Sequence, residues 1–130
     1  MPTPLDKWLP LREPCISLEG RWESSVQFGP SSEWFSGHFD EYPLLPAIAV
    51  LALAAETVKR QGRKQGRVLE VLSFFRVRFK RFVFPNEKLL ISVAGMPSEG
   101  EANLDFQLTC DGKIVAQGVL KARQEVSGGS

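Results

Sequence analysis

The chain holds a single histidine, His38, in the aromatic, turn-rich segment EWFSGHFDEYPLLP. Imidazole is the side chain whose ordinary pKa lets it take up and return a proton near neutrality. Beyond Pro43 and Pro46, the sequence AIAVLALAAETVKRQG opens at Ala47 with strong helix formers, which predicts a helix from Ala47 to Gly62. The first backbone N–H groups of a helix have no partner within it. They lie at the positive end of its dipole, where they polarise a carbonyl or stabilise an enolate oxygen. An imidazole beside such a helix start is what proton abstraction next to a thioester carbonyl requires. A lone histidine in a loop also serves structural ends, and only its neighbourhood argues for chemistry.

Glu56 is the one acid on this otherwise apolar helix. A carboxyl group in apolar surroundings favours its neutral form, which makes it a candidate proton donor. The alternative is that Glu56 stands where the helix emerges and pairs with Lys59 or Arg60. A helix apolar nearly all round up to Glu56 must be wrapped on most sides by other elements.

Those elements are strands. Ile16 to Phe28 shows the mixed alternation of a strand, closed by Gly29 and Pro30. From Val68 the sequence VLEVLSFFRVRFKRFVF alternates Phe75, Val77 and Phe79 with Arg76, Arg78 and Lys80, which predicts one greasy and one basic face. Pro85-Asn86 turns the chain into a strand from Leu89 to Val93, and Pro97 to Gly100 turns it again. Leu104, Phe106 and Leu108 alternate with polar residues, and Asp111-Gly112 signals a tight hairpin into a strand from Lys113 to Arg123. Strand, buried helix, then four strands predict an α+β fold, an antiparallel sheet curled around a central helix. One copy would leave sheet edges and part of the helix uncovered, so a homodimer is expected.

The 130 residues suffice for one core and exclude a multidomain enzyme. Residues 1–14, with four prolines, read as an irregular lead-in, 15–124 as a single domain and 125–130 as a flexible tail. The N-terminus lacks an apolar export signal and the longest apolar run, Leu44 to Ala55, is too short to cross a membrane, so a cytoplasmic protein with no membrane association is expected. Cys15 and Cys110 lie far apart with no CxxC pair, which favours two reduced, buried thiols and no metal site. The net charge of +1 hides an asymmetry: Lys59 to Arg81 holds nine basic residues and one acid, a net +8, against −7 for the remainder. Such clustering suits docking of an anionic partner, although a solvated face carries the same pattern. Nucleic acid is disfavoured, because no recognised motif interleaves exposed aromatics with these charges.

The segment GHFDEYPLLPAIAVLALAAE resembles the signature of hotdog-fold 3-hydroxyacyl-acyl-carrier-protein dehydratases, in which GHF precedes a Pro-x-x-Pro-Gly turn and an apolar helix. FKRFVFPNEKLLISV is similar to the family's strand-turn-strand, and CDGKIVAQGVLKAR to its closing hairpin. The WFSGHF form and the leucine before Pro46 are also similar to dehydratases of aryl-polyene-type pathways. The resemblance implies a hotdog fold with an acyl-thioester tunnel at a dimer interface and no cofactor. It makes His38 the base and groups Gly37, Phe39, Pro46 and Ala47 around the thioester. It also implies an acyl carrier protein, or acyl-CoA, as the source of substrate, with Arg76, Arg78, Lys80 and Arg81 as docking residues. Two positions depart from the pattern. Ala47 replaces a glycine, keeping its N–H, and Ala52 stands where the family's helix carboxylate belongs. General acid help is worth about 10²–10⁴ in rate. The expected activity is a dehydratase with His38 as base, in which Glu56, one turn beyond Ala52, is a candidate relocated acid or else only pairs with Lys59 or Arg60. The alternatives are a hotdog thioesterase in which Glu56 activates water, and a non-catalytic carrier-binding subunit.

Overall fold

A computed structural model describes residues 12, 15–16, 20–29, 47–95 and 100–125. The elements run β1 (Cys15–Ile16), β2 (Arg21–Gln27), α1 (Ala47–Lys64), β3 (Leu69–Phe79), β4 (Lys88–Ala94), β5 (Glu101–Cys110) and β6 (Lys113–Gln124). The strands form one antiparallel sheet in the order β1-β2-β4-β5-β6-β3. Helix α1 thus connects a strand near one edge to the strand at the other. It lies across the sheet and packs against β2, β3, β4 and β5.

The core forms where the apolar face of the sheet meets the helix. Val26, Leu89, Ile91, Val93, Leu104, Phe106, Leu108, Ala116, Leu120 and Ala122 meet Ala49, Val50, Leu53, Ala54 and Val58, all buried. The burial of a side chain such as Leu53 or Ile91 contributes about 1.5–3 kcal/mol. The first half of the helix is less covered along one flank than along the other. Ile48 is 69 % exposed, and Leu51, Ala52 and Ala55 are half-buried, so positions 48, 51, 52 and 55 form an apolar stripe. Their i, i+3, i+4, i+7 spacing places them along one flank of α1.

Four local readings need correction. The first strand breaks at Gly20, whose φ of 77° separates β1 from β2. Helix α1 runs past Gly62 to Lys64, and Gly66, at φ 72°, supplies its left-handed end while the Gly66 N–H donates to the Arg63 carbonyl. Gly62 has a different task, because a Cβ there would lie 2.7 Å from Leu69 Cγ, so its bareness lets the helix end meet the start of β3. Cys15 is exposed, while Cys110 is buried as expected.

The fourth correction concerns β3. Its pairing to β6 slips twice, between Val71 and Ser73 and between Phe75 and Arg78. At the second slip Arg76 takes φ 55°, the mark of a bulge. Phe74, opposite Leu120, packs on the core and meets the Phe106 ring edge-on at 5.8 Å. Phe75, opposite Val119, belongs to the other face, and Val77 returns to the core beside Gly118. Phe75, Val77 and Phe79 therefore do not share one greasy face. The Asp111-Gly112 hairpin is as predicted, with φ of 52° and 79° giving a turn whose twist matches its strands.

Candidate functional site

His38, Gly37, Phe39 and Pro46 lie outside the described residues. What is described begins at Ala47, the first residue of α1, which is exposed and has no acid in the turn that follows it. Ala47 and Ile48 are exposed at the start of this 18-residue helix, whose opening N–H groups carry the partial positive charge of the aligned peptides. Ala52 sits one and a half turns on, within the uncovered apolar stripe. Its methyl group supplies no proton.

Glu56, one turn further, is 3 % exposed and is held by cations. Its Oε1 accepts from Arg60 Nε and from an Arg63 terminal nitrogen, both at 3.2 Å. Arg60 is itself buried and Arg63 exposed. Lys59 is exposed, so Arg63 joins Arg60 in the place the sequence offered to Lys59. Arg60 stands at i+4, the neighbour spacing of a helix, and Arg63 reaches back from i+7 to the same oxygen. A buried carboxylate so paired has its desolvation offset within one element.

The basic residues of β3 do not stay together. Arg76 and Arg78 line a depression of about 350 Å³ on the sheet face away from α1, together with Arg21, Asp105, Gln107, Gln117 and Val119. Both arginines are exposed and, among the described residues, have no ion pair. Lys80 is exposed and its backbone N–H donates to the Val115 carbonyl at 2.7 Å. Arg81 is taken up elsewhere, pairing with Glu87 at 2.5 Å beside the Cys110 thiol, which lies 3.5 Å from the same carboxylate oxygen. Burial opposes ionisation of Glu87, but hydrogen bonds from Arg81, the Phe84 N–H and Cys110 outweigh it and hold the carboxyl below its ordinary range. Burial first, and the neighbouring carboxylate with it, push the Cys110 thiol up, so this cysteine is a poor nucleophile. Arg21 is the member of the groove that sequence reasoning missed. It lies on β2, and only the sheet brings it near β3. Among the described residues no cluster of three or more His, Cys, Asp or Glu could hold a metal ion, and no helix is long and apolar enough to cross a membrane.

The profile of the ApeI-like family, described as ApeI dehydratase, matches residues 16–119. The chain belongs to the ApeI-like dehydratase family. Its match spans β2, α1 and the sheet up to β6, and includes the stretch around His38. Among curated relatives of this ApeI-like chain is the 3-hydroxyacyl-[acyl-carrier-protein] dehydratase FabZ of Lactococcus lactis subsp. cremoris, 30% identical over 95 residues. That alignment covers 69% of the chain and 66% of the relative. Of solved structures, the dehydratase heterocomplex ApeI:P from Xenorhabdus doucetiae superposes with a TM-score of 0.66 at 22% identity, over 87% of this chain and 93% of the other. The TT0310 protein from Thermus thermophilus superposes with a TM-score of 0.71 at 16% identity, over 97% and 100%. The fold of this ApeI-like protein is the α+β hotdog, one antiparallel sheet against one central helix.

Proposed function

We propose that the chain acts on 3-hydroxyacyl thioesters carried by an acyl carrier protein, as a dehydratase in fatty-acid or aryl-polyene-type biosynthesis in the cytoplasm. The observation that carries the reading is the family match across residues 16–119, which includes His38 and the start of α1. In this reading His38 takes the proton from the carbon beside the thioester carbonyl, and the Ala47 N–H with its helix dipole stabilises the enolate oxygen. The C–O bond at the next carbon then breaks, a double bond forms, and the hydroxyl leaves as water once protonated. Ala52 cannot supply that proton, and Glu56 Oε1 is engaged by Arg60 and Arg63. The imidazolium of His38 is the remaining donor, returning to the leaving oxygen the proton it removed.

The second reading is a thioesterase in which Glu56 activates water. Ala52 supports the third, a carrier-binding subunit that has lost catalysis. Product analysis with a 3-hydroxyacyl carrier substrate separates them. Enoyl product supports dehydration, free acid supports hydrolysis, and binding without turnover supports the passive subunit. His38→Ala is expected to abolish enoyl formation, and unchanged turnover would remove His38 from the mechanism.

The proposed assembly is a homodimer. Two features support it: among the described residues no strand pairs with the outer edge of β3, and Ile48 stands exposed beside half-buried Leu51, Ala52 and Ala55. Arg76, Arg78 and Lys80 are the proposed carrier contacts. Arg81 contributes charge to that region while bound to Glu87.

A further inference from the structure

We draw no further inference here: the strongest candidate, the apolar surface patch at the end of the sheet where Phe79, Phe82, Phe84 and Ile114 stand exposed beside Lys80 and Lys113, carries nothing, because it continues the β3 edge already given to the proposed homodimer and nothing in the structure shows what else covers it.

Discussion

Glu56 shows how one carboxylate is assigned by its neighbours. The sequence makes it the lone acid on an apolar helix, and the i+4 position of Arg60 already hints at a pair; the second arginine, at i+7, stands two turns away, beyond the reach that helical spacing alone suggests. Glu56→Gln leaves a buried guanidinium facing an amide and is expected to cost about 3 kcal/mol, the low end for breaking a buried pair, measured by urea denaturation. The same variant tests the relocated acid, since an unaltered pH profile of enoyl formation dismisses it. Glu87 carries a pH dependence of its own. Its folded carboxyl is held below the ordinary value, so the Arg81–Glu87 contribution is present above the ordinary glutamate range of about 4.3 and is lost as pH falls through the lower folded value. Glu87→Gln is therefore expected to flatten the acid limb of a thermal-denaturation series between about pH 5 and pH 3. An acid limb identical to wild type would show that the pair adds nothing to stability.

At the scale of elements, what was legible had a local cause. Helix α1 follows from its helix formers and the prolines before it, and the β5–β6 hairpin from Asp111-Gly112, because both are written in consecutive residues. The faces of β3 were not legible. Strict alternation fails at Arg76 because the sheet inserts an extra residue there, and that slip is decided by pairing with β6 and by the bare Gly118. Arg21 escaped for the same reason, since a groove shared across three intervening strands has no sequence signal. Gly62 separates propensity from packing. In an open helix Gly→Ala would stabilise by about 0.5–1 kcal/mol. Here the new Cβ would press on Leu69 at 2.7 Å, and Gly62→Ala is expected to destabilise by about 1–3 kcal/mol, read as a lower urea midpoint at constant slope. A raised midpoint would mean that Leu69 yields without cost.

For the molecule as a whole, the proposed homodimer would cover exposed Ile48 on α1 and the side of β3 that no described strand pairs with. A solution mass near twice the 14.5 kDa of the chain is expected by light scattering, and Ile48→Glu, which sets a charge in the apolar stripe, is expected to shift it toward the single chain. An unshifted mass would place the contact elsewhere. The two slips in β3 then gain a further meaning. A straight, fully pleated border would let any number of chains zip together side by side, the route to fibres. A border kinked at 71–73 and again at 75–78 offers only short stretches of evenly spaced amides, so growth stops once a matching kinked border has been met. The irregularity that spoiled the sequence pattern is thus also a safeguard against runaway polymerisation.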